Sequence, residues 1–338
     1  MIASTPVARW SWDRDNESDD LLSACLRDLL IAHEILSAQF FATDAPTVHI
    51  TMTEAGKSNS YLLRNEFVFD RRGPEAVALV TDQARAALLP GEIGSVDGSI
   101  TCSGMAVTGP DGKEAQQEDL FRLSASSFAD FVSVDLVTHA DLWLKHDLQG
   151  RPQPEVYEAN SHRLSTLLHS ISEALGAETE PGDPTYFAKP TETGAENYFE
   201  PDGSPSDVWR KFEVPTRYDI FTHAPGFGRI GYQRTTGGEV RYTPVLDSQG
   251  KFIGYLWASE SENAASFEPA DVGDDSVYRA GLVWLHRLRS AHNRGLSPSQ
   301  ALAELTALPD ENGSGQAVPA SRPNLMSLAV LRESLPEH

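Results

Sequence analysis

Arg229-Ile-Gly-Tyr-Gln-Arg234, Glu239-Val-Arg-Tyr-Thr-Pro-Val-Leu246 and Lys251-Phe-Ile-Gly-Tyr-Leu-Trp-Ala258 are three alternating segments, joined by the turns Thr-Thr-Gly-Gly and Asp-Ser-Gln-Gly. Alternation with period two lets a strand bury one face and wet the other, and glycine supplies the backbone conformations that tight turns need. The stretch at 229–258 therefore predicts a three-stranded antiparallel meander.

Working outward, helical spacing follows the meander. Ser276 to Asn293 is amphipathic and ends at Gly295, and Ser297-Pro298 starts a shorter helix that reaches Leu308. Pro309 to Pro323 is rich in Gly, Ser, Ala and Pro, so residues 309–338 are expected to form a flexible tail with a short helix near Leu325 to Leu335. Before the meander, Glu178 to Pro205 is rich in Pro, Gly, Thr and acids, and a long surface loop is expected over 178–205. Helices are predicted over Asp20–Phe41, Pro74–Leu89 and Ser161–Leu175. A hairpin is predicted from Val48–Met52 and Tyr61–Phe69, a strand at Ser99–Met105, and one or two buried strands between Phe121 and Leu144. The fold class is α+β, with antiparallel sheets packed against amphipathic helices. Length suggests about two domains, divided as an N-terminal α+β region 1–115 and a C-terminal one 116–308, before the tail.

Forty-nine acidic residues against 27 basic ones give a formal charge of −22. By Coulomb sign that field repels nucleic-acid backbones and anionic membranes and speeds the encounter with a basic protein. No segment approaches the ~18 apolar residues of a membrane span. The two cysteines, Cys25 and Cys102, form neither a disulfide framework nor a Cys-x-x-Cys metal spacing. A reduced, cytoplasmic setting is expected, with no cofactor.

Gly226-Phe-Gly-Arg-Ile-Gly231 is a literal G-x-G-x-x-G, but it leads into a strand instead of opening a helix, so a dinucleotide site is not expected. One cluster has the residue types for chemistry. His139, Asp141, His146 and Asp147 fall within Thr138–Asp147, and imidazole with carboxylate suits either a transition metal or acid–base catalysis. The more ordinary reading of the same residues is a structural or solvated polar strand end. The helix from Tyr278 to Arg294 carries Arg279, His286, Arg287, Arg289, His292 and Arg294, a locally basic face open to a partner or to internal pairing. Exposed tryptophans would dominate a hot spot, although large aromatics mostly bury their area. Trp143, Trp209, Arg287 and Arg294 are the binding residues this reading selects.

Gly254-Tyr-Leu-Trp-Ala-Ser, with Ala280-Gly-Leu-Val-Trp-Leu-His-Arg-Leu-Arg and Arg294-Gly-Leu-Ser-Pro-Ser-Gln-Ala-Leu-Ala-Glu-Leu, resembles a module of uncharacterised actinobacterial proteins. The resemblance covers roughly the last third of the chain and implies a bacterial, cytoplasmic origin and no particular chemistry. In its general character the chain is similar to immunity proteins that neutralise toxins. The functional expectation is a non-enzymatic acidic binding protein, an immunity-type inhibitor or accessory factor for a basic protein partner. The alternative is a metal-dependent hydrolase built on His139, Asp141, His146 and Asp147.

Overall fold

Alternating sequence in the first half of the chain becomes a seven-stranded antiparallel sheet. The computed structural model describes all residues except 17, 19, 58, 71, 72, 223–230, 311, 312, 319–323 and 336–338. The first unit, Met1–Val208, runs β1 (Ala8–Asp15), α1 (Leu21–Ala38), β2 (Thr47–Glu54), β3 (Tyr61–Val68), α2 (Gly73–Ala86), β4 (Ile93–Val107), β5 (Glu114–Phe128), β6 (Phe131–Thr138), α3 (Pro154–Leu175), β7 (Glu180–Pro181), β8 (Ala188–Thr191) and β9 (Gly194–Asn197). The sheet order is β3-β2-β4-β5-β6-β1-β7, and β8 and β9 make a separate hairpin.

The helices of this unit pack on one face of the sheet, where one phase of each strand is apolar and buried. Trp12 donates its indole N–H to Ser172 on α3 at 2.8 Å; Phe121 stacks on Trp143 and Phe41 meets both rings edge-on, with centroids 5.2 to 5.7 Å apart. Gly104 lets the chain pass close, since a Cβ there would lie 2.6 Å from the backbone of Phe41. Asp20 caps α1 by accepting from the Ser23 N–H. Both cysteines are buried, and desolvation pushes the Cys102 thiol up to about 12.

The second unit, Trp209–His338, starts with a π-helical turn at Trp209–Glu213 and continues through α4 (Val214–Thr222), β10 (Glu239–Leu246), β11 (Phe252–Ser259), β12 (Ala264–Pro269), α5 (Asp275–Asn293), α6 (Pro298–Thr306), β13 (Gln316–Ala317), β14 (Asn324–Ser327) and α7 (Leu328–Glu333). Its sheet runs β12-β11-β10-β13, with β14 also on β10. One face packs against α5 and α6, and Trp284 donates to the Ser314 carbonyl at 2.7 Å within that core. The opposite face, with Val240, Trp257 and Ala264, is covered by Leu328 and Leu331 of α7.

The α+β class and the antiparallel sheets hold, and the expected meander is corrected in one strand. β10 and β11 are two of its three expected strands, but the strand that completes the antiparallel set is β12, Ala264–Pro269, which follows them in the chain instead of preceding them at 229–234. Of the segment 229–234, residues 229 and 230 lie outside the described residues, as does most of the glycine motif at 226–231. Gln233 makes a lone bridge to Ala264.

Three boundary expectations are corrected. A break at 115/116 would cut β5, whose register with β4 runs from Glu114 to Phe128 and cannot be severed without orphaning ladder hydrogen bonds. The expected loop at 178–205 is ordered: β7 pairs with β1, and Thr185 anchors the β8–β9 hairpin by accepting from the Phe187 and Ala188 N–H groups. The expected tail is folded in its described parts, because β13 and β14 satisfy the edge of β10 and α7 buries two leucines. The stretch 319–323 within it lies outside the described residues.

Candidate functional site

Strand alternation decides what the uncovered face of the first sheet presents. From Phe121 to Phe128, and along all of β6, residues alternate between buried and half-buried or exposed, so Arg122, Ser124, Ser126 and Phe128 share a face with Phe131, Ser133, Asp135 and Val137. Register carries that face across the sheet. Asp97 of β4, Ser126, Ser133 and Asp13 of β1 form one row, and Ser99, Ser124, Asp135 and Ser11 form the next. This is the wet face of a one-sided antiparallel sheet, paved mostly with small hydroxyl side chains. Asp97 stands near its centre, where burial raises its carboxyl.

One corner departs from that pattern. Phe128 and Phe131 pair directly across the β5–β6 turn and are 64% and 43% exposed. Between them Ala129 holds φ at +52°, a left-handed conformation that L-residues other than glycine rarely adopt, so the two-residue turn is strained where it projects the rings. Asp130 at the turn and Asp13 and Asp15 on β1 are exposed carboxylates with no cationic partner among the described residues. Phe131 lies opposite Asp15 in the ladder. Beside Phe128 opens a depression of about 500 Å³, floored by Leu21, Ile93 and Gly94. An aromatic pair next to unpaired carboxylates can accept a side chain with an apolar stem and a cationic head.

The four residues expected for chemistry lie on the connection from β6 to α3 and hold it in shape. His139 Nδ1 stands 3.2 Å from the Ala3 carbonyl. Asp141 is buried, accepts from the Met1 amino group and from the Leu148 N–H at 3.1 Å, and has its carboxyl raised by desolvation against the pull of that ammonium. Asp147 closes a turn, accepting from the Gln149 and Arg151 N–H groups and from Arg151 Nε at 2.7 Å. His146 packs edge-on against Phe199, and Asn197 bonds its backbone on both sides. Among the described residues, no three His, Cys, Asp or Glu side chains converge where one ion could sit.

Of the expected binding residues, the two tryptophans are corrected by their burial. Trp143 and Trp209 are each 1% exposed, so neither reaches a partner; Trp143 donates to Thr138 Oγ1, and Arg217 stacks over Trp209 at 4.3 Å. Arg287 lies over the Trp284 ring, and Arg294 pairs with Glu304 while its side chain stays 53% exposed. Phe128 and Phe131 were legible in principle. An aromatic at Phe128, in phase with Arg122, Ser124 and Ser126 and out of phase with Phe121 and Leu123, sits on the polar side of its own strand. Compared with known proteins, the chain matches no family model and no curated sequence.

Proposed function

We propose that the chain is a non-enzymatic binding protein that engages a more basic partner protein through the Phe128/Phe131 corner of its open sheet face. The observation that supports this reading is the pairing of two exposed phenylalanines, fixed by one turn, with the exposed carboxylates Asp13, Asp15 and Asp130. Exposed aromatics on a rigid element are the usual anchors of interfaces, and carboxylates around them select a cationic rim on the partner. The charge of −22 acts in the same direction by steering a basic protein inward. An immunity-type inhibitor or an accessory factor is the class of protein this describes.

The test is affinity purification from the native host with the wild type and with a Phe128→Ala, Phe131→Ala double variant. A basic protein should co-purify with the wild type and fall by about tenfold or more in the variant, as for loss of a hot-spot pair. The variant's melting temperature should stay unchanged. A partner retained equally by both forms sinks the assignment of this corner.

A further inference from the structure

Elsewhere on the same face, away from the phenylalanine row, basic side chains gather. Arg64 of β3, His49 and Thr51 of β2, Ser99 and Thr101 of β4, and Arg122 of β5 line an open depression of about 670 Å³. The ladders set them in three successive rows: Thr51 opposes Arg64, His49 opposes Ser99 in the next row, and Thr101 opposes Arg122 in the row after that. The volume lies within the range of roughly 300 to 1,000 Å³ typical of small-ligand sites.

Elsewhere in the unit arginines find carboxylates. Arg9 pairs with Asp135, Arg14 with Asp28 and Arg163 with Glu114. The side chains of Arg64 and Arg122 make no hydrogen bond or ion pair among the described residues, although the chain holds 49 acidic residues against 27 basic ones. The carboxylate in the lining, Glu66, lies 3.3 Å from His49 Nδ1. Two arginines on strands separated by β2 and β4 line one hollow, with hydroxyl side chains between them.

From this geometry we infer that the depression binds a small phosphate monoester. A carboxylate has two oxygens and is saturated by one guanidinium fork, whereas a phosphate monoester offers three terminal oxygens and about two charges, enough for two forks and a hydroxyl donor. Thr51, Ser99 and Thr101 supply hydroxyls for the remaining oxygens of the ester. No bond is made or broken. The site is independent of the Phe128/Phe131 corner, so either assignment can fail without the other.

Calorimetric titration of the full chain with glycerol phosphate, and with glycerate at matched ionic strength, tests the inference. Glycerol phosphate should bind saturably, with a Kd of about 1 mM or tighter, and glycerate about tenfold more weakly or worse. Arg64→Ala and Arg122→Ala should each weaken the phosphate ester about tenfold, and the corresponding lysine variants should keep part of the affinity as point charges without the fork. Both arginines are exposed, so the variants should melt as the wild type does. No saturable binding below about 10 mM, equal binding of glycerate, or unchanged affinity in the alanine variants would each overturn it.

Discussion

Both units rest on antiparallel sheets of alternating strands, yet they treat the second face of the sheet differently. In Met1–Val208 the helices gather on one side, and the other side keeps hydroxyls, charges and the exposed pair Phe128 and Phe131. In Trp209–His338 both sides are covered, one by α5 and α6 and the other by α7. The strands anticipate the difference. The second phase of β11 carries Tyr255 and Trp257, whereas the second phase of β5 carries Ser124 and Ser126. A face that is aromatic along its middle, as at Tyr255 and Trp257, acquires a cover because leaving it wet forfeits the free energy of apolar burial, about 25 cal/mol per Å², whereas the first sheet's second face carries its phenylalanines at one corner only. A face of hydroxyls gains little from burial and remains available for binding.

Substitution on the two second faces should give the largest contrast. Trp257→Ala, under α7, should lose about 3 to 5 kcal/mol by chemical denaturation, because it removes a fully buried aromatic. Ser124→Val, at the matching phase of the open sheet, should change stability by about 0.5 kcal/mol or less. A large loss at Ser124 would mean that the first sheet's second face is covered after all.

The cap of α5 gives a smaller effect with a pH signature. Asp274 accepts from Ser276 and from Lys251, and although burial works to raise its carboxyl, these bonds hold it at about 2 against an ordinary 3.8. Because the folded group ionises below the unfolded one, its stabilisation is present above the ordinary value and is lost as pH falls towards about 2. Asp274→Ala should cost about 1 kcal/mol at neutral pH. The gap between variant and wild type should close in acid melts; a gap that persists there would remove the carboxylate from the explanation.

The smallest expected change is a gain. Ala129→Gly should stabilise the first unit by about 0.5 to 1 kcal/mol, since glycine adopts the left-handed conformation of the β5–β6 turn without a Cβ penalty. If thermal melts show a loss instead, the turn's alanine is unstrained, and the argument that strain marks this corner goes with it.

Legibility in the sequence followed the range of the interactions. Residues of α1, α2, α5 and α6 announce themselves within a few turns, and Ser297 with Gln300 forms the full capping box that starts α6. Hairpin β2–β3 was equally local. Strand β1 is hard to see in the sequence, although Ala8-Arg-Trp-Ser-Trp alternates, because its neighbours β6 and β7 lie more than a hundred residues away. The residues thought to carry chemistry at 139–147 were selected by type, and type does not distinguish a ligand from a turn closer such as Asp147.

Alternation, helix period and charge are short-range or additive properties, so the sequence alone determined the α+β class, most of the elements and the acidic field. Coverage of a sheet face, the burial of Trp143 and Trp209, the use of β13, β14 and α7 to close the edge and face of the second sheet, and the placing of Arg64 and Arg122 on one depression depend on which distant segments pack together. Those belong to the tertiary structure, because burial and pairing are settled by neighbours in space that no local window contains.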